Sequence, residues 1–277
     1  MKFTKMHGAG NDYVYVSLFE ERVSDPVKTA IVVSNRNFGI GADGLILIAP
    51  SSKGDAQMIM FNGDGSMAEM CGNGVRCVAK YVYDHGISRK TTLDIETGAG
   101  VKRIDLTIDN GKVVAAKVNM GTPYLNPKDI PVNLEVSPVI RHSITAVDKI
   151  FEFTAVGMGN PHCVIWVDNV VSFPVDKYGP IIENHPLFPR RTNVEFVQII
   201  SKDEVRQRTW ERGSGETLAC GTGASAVCVA GVLCGVTNRK IKNHLTGGDL
   251  ELEWASDSSP VFKTGPAVEV FSGEIDI

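Results

Sequence analysis

Two cysteines in this chain stand in the same local setting, Met70-Cys71-Gly72-Asn73-Gly74 and Ala219-Cys220-Gly221-Thr222-Gly223. They lie 149 positions apart, and the same offset carries Gly8-Ala9-Gly10-Asn11 onto Gly157-Met158-Gly159-Asn160 and Phe61-Asn62 onto Trp210-Glu211. A repeat of that length reads as a duplicated domain that keeps one thiol per half. Each thiol precedes a glycine-rich turn leading into a helix. A helix N-terminus carries about half a positive charge and several unpaired N–H donors, so it stabilises a thiolate and can also cradle a carboxylate.

Both properties serve one reaction. An amino acid whose α-carboxylate rests on those N–H groups has its Cα between two sulfurs; one thiolate removes the α-proton, the opposing thiol delivers a proton to the other face, and the stereocentre inverts. Charge builds on the carboxylate as the proton leaves, so donors aimed at it favour the transition state over the ground state. One sulfur must be ionised and the other protonated, which makes the active state a coupled titration. The competing expectation for one such cysteine is a small buried core residue; two copies in register favour the joint role. Cys77, Cys163, Cys228 and Cys234 lack that context and read as core packing, the last two inside an apolar helix. With no CxxC pair, and with Cys163 beside His162 among scattered thiols not a spacing that chelates by itself, neither a structural disulfide nor a metal is expected.

The elements that must position these residues follow from the rest of the chain. Its 277 residues, 43% hydrophobic and 22% charged, suit two domains, each with its own core. A net charge of −4 with scattered Lys and Arg argues against nucleic acid or an anionic membrane and for a small-molecule partner. The opening MKFTKMHGAGND holds no apolar signal core, and no apolar run approaches a membrane span, so the expectation is a cytoplasmic protein.

Alternating or β-rich stretches predict strands at 13–18, 45–48, 57–61, 92–96, 101–108 and 113–119, the last two joined at the hairpin turn Asp109-Asn110-Gly111. Strands recur at 150–156, 163–167, 194–200, 204–210, 250–254 and 267–271. Helices are expected at 73–84, closed by Gly86, and at 222–234, closed by Gly235 and apolar all round, hence buried. The fold class is α+β: two pseudo-symmetric domains, 1–120 and 121–263, each a strand-rich sheet wrapped around a central helix. Residues 264–277 are a candidate to complete the first. Pro123, Pro127, Pro131 and Pro138 put the linker within 120–140.

The strings HGAGNDY (7–13), FNGDGSMAEMCGNGVRC (61–77), GMGNPHC (157–163) and ERGSGETLACGTGASA (211–226) together closely resemble the diaminopimelate epimerase family, and they span most of the chain in the family's order. A single CGxG would be weak, since proline racemases carry a similar thiol pair. The resemblance implies a diaminopimelate epimerase-like fold and inversion of one stereocentre of LL-diaminopimelate to the meso form, for lysine and peptidoglycan synthesis. It implies no pyridoxal phosphate, metal or other cofactor, and a homodimer. By the same resemblance Cys71 and Cys220 would be the acid-base pair. Gly72, Asn73, Gly221 and Thr222 would hold the reacting carboxylate, and Asn11, Asn62, Asn160, Asn193, Glu211 and Arg212 the rest of the substrate. An arginine fork suits a distal carboxylate and a glutamate an ammonium. His162 would orient or tune a thiol, or be a satisfied loop residue. Gly44 stands where some family members carry a polar amide. The alternatives are a proline or hydroxyproline racemase of the same fold and a non-enzymatic thiol switch.

Overall fold

The computed structural model describes all 277 residues, Met1–Ile277. In chain order the elements are β1 (Lys2–Gly8), β2 (Asn11–Ser17), α1 (Pro26–Ser34), β3 (Gly44–Ala49), β4 (Ala56–Asn62), β5 (Met67–Ala68), α2 (Gly74–Asp84), β6 (Thr92–Thr97), β7 (Gly100–Asp109) and β8 (Lys112–Asn119). They continue with β9 (His142–Ala146), β10 (Lys149–Gly157), β11 (Pro161–Trp166), α3 (Val175–Glu183), β12 (Asn193–Ser201), β13 (Glu204–Glu211), β14 (Gly215–Thr217), α4 (Gly221–Leu233), β15 (Lys240–Leu245), β16 (Gly248–Glu253), β17 (Phe262–Gly265) and β18 (Val268–Glu274). Two compact units result: Met1–Asn119 with Thr264–Ile277, and Met120–Lys263.

In the first unit the strands run in the order β18, β1, β2, β3, β4, β6, β7, β8, antiparallel except for the parallel pairs β2–β3 and β4–β6. The second unit repeats that scheme as β9, β10, β11, β12, β13, β15, β16, with β11–β12 and β13–β15 parallel. The 149-residue offset is therefore also a sheet register. Tyr13 faces Gly44 as His162 faces Asn193, and Leu45 faces Phe61 as Val194 faces Trp210.

Each sheet has a helix on either face. In the first unit Ala30 and Val33 of α1 pack on Val14, Val16, Leu45 and Leu47; Ile46, pointing the other way by the strand's alternation, meets α2 at Gly74. In the second unit α3 sets Val175, Tyr178 and Ile182 against Phe153, Ile165 and Phe196. The central helices α2 and α4 are buried over most of their length, and α4 tolerates this because its residues are apolar on every side. Helix α2 instead buries two cations, Arg76 and Lys80; the Lys80 Nζ donates to Asp84 Oδ2 and to the Val113 carbonyl, both at 2.7 Å.

The hairpin turn at Asn110-Gly111 has both residues at positive φ, as a tight turn between twisted strands requires. Helices α1 and α3 are absent from the sequence expectation for a local reason. Helix α1 opens on Pro26, capped by Asp25, whose carboxylate accepts from Lys28 N at 3.0 Å, and α3 carries Gly179-Pro180 in its interior. Such residues ordinarily mark loops. Strand β15 escaped because Asn243, wholly buried and donating to Gln207 Oε1 at 2.6 Å, interrupts its apolar alternation. Cys234 lies at the C-cap of α4 rather than inside it, half-buried beside the Thr154 hydroxyl at 3.2 Å.

Gly179 has a packing role. A Cβ there would meet Cγ, Cδ2 and Cβ of Trp210 at 2.6–2.8 Å. Alanine favours an ordinary helix interior over glycine, yet Gly179→Ala is expected to destabilise the fold by about 1–3 kcal/mol through overpacking; urea denaturation followed by tryptophan fluorescence measures the change.

Candidate active site

In the first unit Cys71 lies between β5 and α2, partly exposed. Its Sγ accepts from Gly74 N at 3.3 Å, in the first turn of α2, and donates to Asn11 Oδ1 at 3.1 Å. Asn11 is oriented by its other end, where Nδ2 donates to Asp43 Oδ2 at 2.7 Å. Arg36 in turn holds Asp43 and Asp12, so the asparagine beside the thiol is braced by an ion-pair network. Asn62 donates to Ser66 Oγ at 2.9 Å in the turn after β4. The Asn73 side chain points inward, its Oδ1 accepting from Arg76 Nη1 at 3.0 Å. What Gly72 and Asn73 offer outward is backbone, and their N–H groups engage no acceptor of the chain.

Cys220 in the second unit repeats this geometry at the N-cap of α4, with Gly223 N donating to its Sγ at 3.4 Å and Thr222 Oγ1 at 3.5 Å. The N–H groups of Gly221 and Thr222 open the helix and have no partner within it. The surroundings differ, however. Cys220 is only 4% exposed, and burial pushes its thiol well above the ordinary range, with the Glu211 and Glu195 carboxylates pushing in the same direction. His162 is wholly buried: its Nδ1 lies 2.8 Å from Glu195 Oε1 and its Nε2 2.9 Å from Asn160 Oδ1. Burial raises Glu195. His162, Glu195 and Cys220 bring potential ligand atoms within 4.8 Å of one another, but both imidazole nitrogens are already committed to Glu195 and Asn160. A cation there would have to break one of those contacts.

The segment from Glu211 to Ser214 is tied down on all sides. Glu211 accepts from Thr217 Oγ1, Asn193 Oδ1 accepts from Arg212 N at 2.9 Å, and Arg212 Nη1 donates to the Arg190 carbonyl at 3.1 Å. Asn193 also donates to the Pro161 carbonyl at 2.9 Å, so it works by positioning backbone. Buried Glu183 at the end of α3 receives Gly213 N, Trp210 Nε1 and Arg191 Nη1 at 2.9, 2.7 and 3.1 Å. Beside this segment opens a cavity of about 360 Å³ lined by Tyr124, Ile130, Gly157, Asn160, Arg190 and Arg212. With this backbone a Cβ at Gly44 would collide with the Phe61 carbonyl.

Within the first unit Asn11 and Cys71 come together, while Asn62 bonds the turn after its own strand. Within the second, Asn160, His162 and Cys220 cluster, and Asn193 joins Arg212. Sequence reasoning missed Glu195, Arg76 and Tyr13. Glu195 sits in the strand NVEFVQIIS among buried apolar neighbours, and a lone carboxylate in such a run was the available signal. Tyr13, counterpart of His162 by the offset, lies beside Asn11 and Cys71, and burial pushes its hydroxyl far up. Because Glu211 raises the Cys220 thiol, Glu211→Gln is expected to move the pH profile of Cys220 alkylation by iodoacetamide to lower pH; peptide mapping across a pH series checks the direction.

A family model described as diaminopimelate epimerase matches residues 3–126 and 154–270. Diaminopimelate epimerases from Agathobacter rectalis and Methanococcus maripaludis are each 55% identical to this chain, over 284 and 277 aligned residues, with 100% of both chains covered in each case. Among solved structures the fold resembles a hydroxyproline epimerase from Agrobacterium vitis, with TM-score 0.67, 16% identity, and 99% of this chain and 90% of that chain covered. It also resembles a phenazine biosynthesis protein of the PhzF family from Bacillus anthracis, with TM-score 0.70, 15% identity, and 100% and 99% covered.

Proposed function

The chain belongs to the diaminopimelate epimerase family, and from that premise we propose that it inverts LL-diaminopimelate to the meso form by passing a proton between Cys71 and Cys220. The observation that carries this reading is the repeated thiol geometry: each sulfur accepts from the N–H three residues on, in the first turn of a buried helix. The free N–H groups of Gly72, Asn73, Gly221 and Thr222 would receive the α-carboxylate, whose charge grows as the proton leaves.

Proton removal and delivery need opposite protonation at the two sulfurs. Burial and two carboxylates favour the protonated form of Cys220, which suits it to deliver a proton to the carbon; the reverse reaction exchanges the roles of the two sulfurs. His162, held between Glu195 and Asn160, orients the Cys220 surroundings. At the far end of the substrate Arg212 pairs with the distal carboxylate and Glu211 accepts from an ammonium, with Asn11, Asn62, Asn160 and Asn193 completing recognition directly or through backbone. The proton moves between thiols and the charge rests on a carboxylate, so this reading calls for no cofactor. It places the product in lysine and peptidoglycan synthesis, in a cytoplasmic homodimer. No helix is long and apolar enough to cross a membrane.

The reduced protein is expected to incorporate solvent deuterium at the α-carbon of LL-diaminopimelate while leaving proline and hydroxyproline untouched. Cys71→Ser and Cys220→Ser should each lower turnover by about 10²–10⁴-fold, the usual contribution of a positioned acid or base; full exchange in either variant would refute the two-base reading. Mild oxidation of the ligand-free enzyme should join Cys71 to Cys220 with loss of activity restored by dithiothreitol. Peptide mapping that finds inactive protein linked only through other cysteines counts against sulfurs that face one carbon.

A further inference from the structure

Glu183 is a buried carboxylate at the last position of α3, the negative end of a helix dipole, in a last turn that holds no basic residue. Burial and the dipole both disfavour a negative charge there, so its partners must account for it. Oε1 accepts from Gly213 N at 2.9 Å and from Arg191 Nη1 at 3.1 Å, and Oε2 accepts from Trp210 Nε1 at 2.7 Å. Two of these three donors flank Glu211 and Arg212 in the chain.

The first unit has the same loop without this carboxylate. The 149-residue offset puts Ser34 opposite Glu183, Ala42 opposite Arg191 and Phe61 opposite Trp210. Ser34 likewise ends its helix, α1, but its buried Oγ has no hydrogen-bond partner. All three members of the cluster are present in one unit and absent together from the other.

The two turns differ accordingly. Gly65 N donates to the Asn62 carbonyl and Ser214 N to the Glu211 carbonyl, so both turns close between equivalent residues. In the first unit the third turn residue, Asp64, has a negative φ, the type I arrangement, and its carboxylate braces the turn from within by accepting from Ser66 N at 2.9 Å. In the second unit Gly213 takes that place with a φ of 81°, the type II arrangement. The two types differ by a flip of the central peptide, here the one joining Arg212 to Gly213. Its N–H is the group that the Glu183 carboxylate receives.

We propose that Glu183 is a positioning residue for substrate recognition: it selects the type II orientation of the peptide between Arg212 and Gly213, and so sets the direction in which Glu211 and Arg212 face the far end of the substrate. This rests on the role given to Glu211 and Arg212 in the reading above. Arg191 and Trp210 hold the carboxylate in place. Without it the turn relaxes to the type I form of the first unit.

Amide hydrogen exchange, followed by NMR in the ligand-free protein, reads the turn without substrate. Both turn types keep the Ser214 bond, but the flip takes Gly213 N away from α3. Glu183→Ala is expected to speed exchange at Gly213 by about tenfold or more, the loss of one hydrogen bond to a charged group, with Ser214 unchanged. For LL-diaminopimelate KM should rise by a similar factor while kcat changes by less than about threefold, the pattern of lost binding rather than lost chemistry. Equal acceleration at both amides marks a merely structural role and overturns the proposal, as does an unchanged KM.

Gly213 supplies a second pair of variants where Glu183→Ala does not fold. A Cβ at Gly213 comes no closer than 3.8 Å to the Arg191 guanidinium, so its positive φ alone resists substitution. Gly213→Ala should raise KM as Glu183→Ala does, whereas Gly213→Asn, which tolerates that φ, should keep KM near the wild-type value; equal KM in the two overturns the proposal. Wild-type protein that exchanges no deuterium into LL-diaminopimelate would reject the functional reading, and the Gly213 amide would still decide the role of Glu183 in the turn.

Discussion

A thiol that is to hold and release a proton from carbon needs a place where its anion is tolerated without water around it. In the proposed mechanism that place is the first turn of a buried helix, and the rest of each unit is arranged to keep that helix buried. The sheet curls around α2 or α4, a short outer helix seals the opposite face, and the helix end stays open only at the glycine-rich turn. The second glycine of each Cys-Gly-x-Gly keeps this turn close to its neighbours. A Cβ at Gly223 would strike Glu195 Oε1 and approach Cys220 Sγ to 3.2 Å, and one at Gly74 would strike Ile46.

Backbone geometry at the thiols is duplicated, but the electrostatics are not. The first loop rests on a buried guanidinium, and the second is bordered by two carboxylates and a buried histidine. Duplication supplied two equal frames, and substitutions on inward-facing positions, Glu195 opposite Ile46 and Ser225 opposite Arg76 among them, gave them different surroundings.

In the proposed reading, recognition of the remainder of the substrate falls to the turn between β13 and β14, closed by Ser214 N donating to the Glu211 carbonyl and held by its neighbours. Glu183, Asn193 and Thr217 each bond the stretch from Glu211 to Ser214 from a different element. Gly179 lets Trp210 lie flat on α3 so that Glu183 can reach the indole. Strength at this turn comes from several short hydrogen bonds to buried partners, which fix backbone direction better than exposed ion pairs do.

The thiols, the paired Asn11 and Asn160 and the two central helices were legible in the amino-acid sequence, because a repeated motif survives reading in one dimension and an apolar helix declares its own burial. The identities of Glu195 and Arg76 were printed there too, but not their meaning. Whether a charged residue in a strand or helix faces solvent or core depends on which neighbours cover it, and no local pattern records that. Helices α1 and α3 stayed hidden behind proline and glycine, since packing against a sheet outweighs local propensity. Sequence by itself determined the chemistry on offer, two thiols on two helix ends. Tertiary structure alone decided the charge around each, because desolvation and proximity act between residues that the chain keeps far apart.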